Sequence, residues 1–216
     1  MQVTVREGDD VLLHDLEAGS IGKDVFPKQS GMVAAVVNGV NVDLDTELRD
    51  GDEVRGVHIS SAEGLAILRH SAAHVAAQAT QKLIPSAKLG IGPPITDGFY
   101  YEFDLPESLK PEDLQEIEKQ MVLIIKSRQR FRRRVVTREQ ALAELADEPY
   151  KLRLIGADSS TEVLNPDVME VGGSELTIYD NVDAKTGDTC WSDLCRGPHV
   201  PDTSYIPQNA IKVMRS

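Results

Sequence analysis

The chain has 216 residues, enough for one large domain or two ordinary ones, and its 41% hydrophobic and 27% charged residues mark it as globular rather than disordered. A formal charge of −12 excludes unspecific coating of nucleic acid by the whole surface, because that affinity comes from neutralising phosphates with Lys and Arg. No apolar run approaches the roughly 20 residues of a membrane helix and the start carries no secretory leader, so a cytoplasmic protein without membrane contact is expected, with Cys190 and Cys195 as reduced thiols.

Residues 1–60 are rich in short strand and turn signals. Val3 and Val5 alternate with polar neighbours, Val33 to Val37 is a compact apolar run, and Asn38-Gly39 is a two-residue hairpin signal with Val40 and Val42 beyond it. Asp50-Gly51-Asp52 is a second turn, after which Glu53 to Ile59 reads as a closing strand, and Ser20 to Phe26 supplies one short helix. Ser60-Ser61-Ala62-Glu63 reads as a capping box opening a helix that runs to about Leu83, before Pro85. On that helix Leu65, Leu68, Ala72, Val75, Ala76, Ala79 and Leu83 form one apolar stripe. His70 and His74 fall almost opposite it, among Ala66, Ala73 and Ala77.

Lys88–Ile91 and Gly98–Asp104 read as two strands joined by a Gly-Pro-Pro turn, and Gly90-x-Gly92 is no dinucleotide fingerprint because it does not open a helix. Leu114, Ile117, Met121, Ile124 and Ile125 recur at helical spacing from Pro111 to about Arg130. Thr137–Glu144 reads as a shorter helix and Lys151–Ile155 as a strand, followed by strands over Glu175–Asp180 and Thr189–Leu194 around a polar turn. Lys126, Arg128, Arg130, Arg132, Arg133, Arg134 and Arg138 form a basic cluster, read either as a solvated helix end or as an RNA contact.

In a chain with five histidines and two cysteines, His70-x-x-x-His74 and Cys195-x-x-x-His199 are two pairs of nitrogen or sulfur side chains. Residues four apart on a helix share a face, so His70 and His74 can address one small volume. Three chemistries suit the set. Two or three imidazoles and a thiol match a tetrahedral zinc site; the same groups can hold and polarise a water that attacks an ester without metal; or Cys195 can act as nucleophile with a histidine base, although nothing local marks it as activated.

Four segments then carry a family resemblance. His70-Ser-Ala-Ala-His74, Ile91-Gly92-Pro93 with Gly98-Phe99-Tyr100-Tyr101, Pro149-Tyr150-Lys151, and Asp193-Leu194-Cys195-Arg196-Gly197-Pro198-His199 resemble, in order and spacing, the editing domain of bacterial threonyl-tRNA synthetases. Residues 1–60 resemble the TGS domain of that family through the Asn38-Gly39 hairpin and the Asp50-Gly51-Asp52 turn. The resemblance implies an α+β protein: a small β-grasp, ubiquitin-like domain over 1–60, then an editing domain over 61–216 with helices packed on an antiparallel sheet. It also implies proofreading hydrolysis of Ser-tRNA(Thr). Threonine exceeds serine by one methyl, worth only about 1 to 3 kcal/mol in binding, so a second, hydrolytic sieve is needed.

Carried over by position, His70, His74, Lys151, Cys195 and His199 are the expected catalytic residues. Tyr101 and Asp193 bind substrate, with Ala66, Ala73 and Ala77 leaving room for the seryl group. Arg130, Arg132, Arg133 and Arg134 are the expected RNA contacts. No metal is expected; zinc on the two His/Cys pairs is the alternative, and a non-catalytic RNA-binding or regulatory TGS module is another. The expected partners are the acceptor end of tRNA(Thr), its seryl-adenosine ester, and a second copy joined through an aminoacylation core. None of the three signature motifs of that class II core is found here. The polar stretch from Gly156 to Gly187 is longer than the family's usual link, which leaves strand pairing there open.

Overall fold

The structure, a computed structural model, describes residues 1–8, 10–156 and 175–214. By backbone contacts the chain divides into two compact units, Met1–Ser71 with Gly197–Pro201, and Ala72–Arg196 with Asp202–Ser216. It is an α+β protein with one mixed and several antiparallel sheets. Among the described residues no helix is long and apolar enough to cross a membrane.

In the first unit, β1 (Gln2–Glu7), β2 (Asp10–Asp15), β3 (Met32–Val37), β4 (Val40–Val42) and β5 (Glu53–His58) form one sheet in the order β2-β1-β5-β3-β4. β1 and β5 run parallel and the other neighbours antiparallel. The two sequence-predicted turns hold each other: the Asn38 amide donates to Asp52 at 2.7 Å and its carbonyl accepts the Glu53 N–H at 2.9 Å. Asn38 and Gly39 both take positive φ, as the two-residue hairpin requires. Val3, Val5, Phe26, Ala35, Leu44, Leu48 and Val54 fill the core. The expected helix at Ser20–Phe26 is a single turn, α1 (Gly22–Val25). β2 has no counterpart in the sequence reading because, as an edge strand, it exposes Val11, Leu12 and Leu13 on both faces and so shows no alternation.

A long helix, α2 (Ala62–Leu83), begins at Ser61, whose hydroxyl accepts the Gly64 N–H at 3.0 Å. Glu63 does not close a capping box; it pairs with Arg55 at 3.2 Å. The expected one-sided apolar stripe is also corrected. Every residue from His70 through Thr80 is buried, while Leu83 is exposed. Alanines at 72, 73, 76, 77 and 79 let neighbouring chain approach on all sides, so the helix is interior rather than amphipathic.

In the second unit α3 (Pro111–Ser127) stops where Arg128 turns left-handed, with φ of 55°. The basic residues beyond it are not a helix end. They form β10 (Arg130–Val136), the outer strand of an antiparallel sheet with β11 (Leu176–Val182) and β12 (Thr189–Leu194), in the order β10-β11-β12. Phe131 and Val136 anchor the strand in the interior while arginines occupy the positions between. The Leu176–Val182 segment pairs on both sides; residues 157–174 of the polar stretch lie outside the described residues.

α4 (Arg138–Glu144) is capped reciprocally by Thr137 and Gln140. Val136, Ala141, Leu145, Ile155, Ile178 and Leu194 form the core beneath the sheet. The expected strands around Gly92–Asp97 are broken into two short pairs: β6 (Lys88–Leu89) with β9 (Phe103–Asp104), and β7 (Pro94–Ile95) with β8 (Gly98–Phe99). Lys151–Ile155 is not a strand but part of helix α5 (Pro149–Leu154). Pro149 presets the first helical turn, and Arg138 closes the other end by donating to the Ile155 and Gly156 carbonyls.

Candidate active site

Strand alternation on β12 sends Trp191 and Asp193 to one face of the sheet and Ser192 and Leu194 to the other. Asp193 is 1% exposed and its carboxylate is the hub of the second unit. One oxygen accepts the Leu194 N–H at 2.8 Å and the Lys151 ammonium at 2.9 Å. The other accepts the Tyr101 hydroxyl at 2.6 Å and Lys151 again at 3.1 Å, and lies 3.8 Å from His74 Nε2. The Lys151 side chain is itself only 3% exposed. A buried ion pair of this kind costs more desolvation than it returns unless its remaining bonding capacity is met, and here a phenol and a backbone amide meet it.

Each partner of Asp193 is held by its own neighbourhood. Lys151 is aimed by α5, a helix of six residues with several anchors. Leu152 and Ile155 enter the core, Tyr150 donates to Asp104 at 2.9 Å, and Glu148, just before the helix, accepts the Leu89 N–H at 2.7 Å and the Gln81 amide at 2.8 Å. Tyr101 stacks on Phe103 with centroids 4.8 Å apart and packs against Gly92, where a Cβ would sit 2.2 Å from the ring. His74 meets the edge of Trp191 at 5.4 Å, and the Trp191 indole N–H donates to Gln81 at 2.6 Å. One hydrogen-bonded chain thus runs Trp191–Gln81–Glu148 into α5.

In the first unit the rings of His70 and His199 stack at 4.5 Å with 28° between their planes. His199 Nδ1 lies 3.0 Å from Ser71 Oγ, and the His199 backbone N–H donates to Asp43 at 2.8 Å. Cys195 is buried, its N–H bonded to the Thr177 carbonyl and its own carbonyl accepting the Thr177 hydroxyl.

Among the described residues, His70 and His199 are buried in the first unit, and His74 and Cys195 in the second. The donor set of three imidazoles and one thiol suits zinc.

The other expected residues lie elsewhere. Ala73 and Ala77 are fully buried on α2 and Ala66 partly so. Arg132 and Arg134 both donate to Asp180, on the sheet face away from Asp193, and Arg134 also pairs with Glu144. Burial pushes the Asp180 carboxyl up, but the bonds from Arg134, Ser192 and Arg132 outweigh it and hold the group below its ordinary value. Arg133 pairs with exposed Glu175 at 3.4 Å, and Arg130 is exposed at the start of β10. Ser71, Asp43, Trp191, Gln81 and Glu148 were not anticipated as site residues. Ser71 sits inside the histidine motif and Trp191 two residues before Asp193, so position on a shared face was the available signal.

Residues 176–216 match the threonyl and alanyl tRNA synthetase second additional domain. Relatives along the chain are threonine–tRNA ligases. That of Streptomyces griseus is 54% identical over 216 residues, covering all of this chain and 32% of the relative. Those of Streptomyces avermitilis and Thermobifida fusca are each 59% identical, over 92% and 86% of the chain and 30% and 28% of the relatives. The chain is thus similar along its length to bacterial threonine–tRNA ligases and spans about a third of the length of the curated relatives it matches.

Proposed function

We propose that this chain hydrolyses the ester between serine and the terminal adenosine of threonine tRNA, removing serine that a threonyl-tRNA synthetase has attached in error. The observation that carries the reading is the buried Asp193 carboxylate of the second unit, held by Lys151 and Tyr101 with His74 Nε2 3.8 Å away. Water attacks the ester carbonyl, an imidazole lone pair accepts its proton, the carbon–oxygen bond to the ribose breaks, and the proton passes to the ribose oxygen. His70, His74, Cys195 and His199 hold and polarise the water. Lys151 lies beside the ester, Asp193 reads the seryl amino or hydroxyl group, and Tyr101 positions the adenosine. Ala66, Ala73 and Ala77 leave space for serine where threonine's extra methyl would clash.

Residues 1–60 form a TGS-like β-grasp domain on this reading, supported by the parallel β1–β5 pair at the centre of a sheet otherwise built from antiparallel neighbours. The chain acts in the cytoplasm on the acceptor end of tRNA(Thr), and an aminoacylation core elsewhere in the synthetase provides the dimer contact. Arg130 and Arg133, less committed to buried carboxylates than Arg132 and Arg134, are the better phosphate contacts of the basic strand.

The test is deacylation of Ser-tRNA(Thr) and Thr-tRNA(Thr) with and without a chelator. Serine should be released, threonine spared and the chelator without effect; equal rates on both esters would overturn the proposal. The donor types also support a second reading, a zinc-dependent ester hydrolase, in which His70, His74, Cys195 and His199 would hold an ion that activates water. Stoichiometric zinc, lost in Cys195→Ser together with a chelator-sensitive rate, would establish that one.

A further inference from the structure

Ser71 has no role in the hydrolysis described above, yet it is fully buried and three contacts converge on its hydroxyl. Its Oγ donates to the Ile67 carbonyl one helical turn back at 2.9 Å, accepts the Val200 N–H at 3.1 Å, and faces His199 Nδ1 at 3.0 Å. A hydroxyl has one proton and two lone pairs. With the proton on Ile67 and one lone pair taken by Val200, only a lone pair remains toward His199, so Nδ1 must be the donor. We propose that Ser71 is a positioning residue that holds His199 with its proton on Nδ1 and its lone pair on Nε2.

The rest of the local geometry fixes the ring that this bond orients. Asp43 accepts the His199 backbone N–H, Ser71 accepts the N–H of the next residue, and the His70 ring lies against the His199 ring. Main chain, ring plane and tautomer are therefore set from three directions. A histidine whose Nδ1–H is engaged presents Nε2 as an acceptor, the form able to take a proton from water or to serve as a donor atom to an ion. The rate consequence rests on the proposed ester hydrolysis; the tautomer does not.

Long-range proton–nitrogen correlation spectra of the 15N-labelled chain, recorded with chelator present and assigned with a His199→Gln control, read the tautomer directly. His199 should show the Nδ1–H, Nε2-lone-pair pattern, and an Nε2–H pattern in the unsubstituted chain would overturn the proposal whether or not any variant folds. Ser71→Ala should lose the pattern and Ser71→Thr keep it. In single-turnover deacylation, Ser71→Ala should slow the saturated rate about ten- to hundredfold, the usual effect of removing a partner that orients a histidine, with the half-saturating concentration unchanged. Ser71→Thr should restore the rate. A Ser71→Ala chain with unaltered tautomer and rate would refute the assignment. An Nδ1–H pattern in a chain that hydrolyses no seryl ester would uphold it while removing the proposed function.

Discussion

Asp180 and Asp193 lie on neighbouring strands of the same sheet, each 1% exposed, and point to opposite faces. Asp180 accepts from Arg132, Arg134 and Ser192, and the two guanidinium side chains are 50% and 33% exposed. Its charge is answered by cations that keep a third to a half of their own exposure to water. Asp193 is answered by an ammonium that is itself buried and by a phenol, with an imidazole close by, each from a different segment of the chain. The first arrangement ties β10, β11 and β12 together and is sufficiently explained by stability. The second gathers groups that are costly to bury and easy to use, which is how a site differs from a structural anchor.

His74→Ala should have the largest effect on this contrast, cutting seryl-tRNA deacylation on the order of a thousandfold; retained activity would remove His74 from the chemistry. Asp193→Asn should follow, lowering stability in urea titrations by about 3 to 5 kcal/mol because Lys151 is left buried without its counter-charge, and depressing deacylation with it. Asp180→Asn should cost less, about 2 to 3 kcal/mol, since its arginines can turn to solvent, and should leave deacylation unchanged. If it abolished turnover, the distinction between the two faces would collapse.

Asp180 also gives a pH signature. Its folded-state value is lowered, so its stabilisation is complete above the unfolded carboxylate value and is lost as pH falls through the folded one. The unsubstituted chain and Asp180→Asn should therefore differ at neutral pH, begin to converge as pH falls below about 4, and meet only below the lowered folded-state value, as urea midpoints measured across acid pH would reveal. The smallest expected effect is at Gly92. A methyl there would collide with the Tyr101 ring, and Gly92→Ala should weaken the Tyr101–Asp193 bond by about 1 to 2 kcal/mol, seen as a severalfold rise in the tRNA concentration needed for half-maximal rate.

Much of this was legible in the sequence where a local rule had no competitor. The hairpin at Asn38-Gly39, the helix carrying His70 and His74, and α3 each follow from spacing and turn residues. The errors came where local signals conflicted with packing. The arginine-rich run was read as a solvated helix end or an RNA contact rather than a strand because its two buried residues, Phe131 and Val136, are five apart and give no period-two alternation. The Lys151 segment was read as a strand because six residues carry too little periodicity, and its helix depends on Pro149 and on anchors distant in sequence. The gathering of Tyr101, Lys151 and Asp193 on one carboxylate lay beyond any spacing rule, since the three are far apart along the chain.

The enclosure of α2 has a mechanical consequence. A helix buried on every side from His70 to Thr80 cannot roll about its axis without dragging its surroundings, so the angular offset between His70 and His74 is as stiff as the protein interior. Tyr101, by contrast, sits between two-residue strands whose short ladders open cheaply. Compliance is thus distributed unequally, and backbone amide exchange should be slow along the middle of α2 and orders of magnitude faster from Pro94 to Asp104.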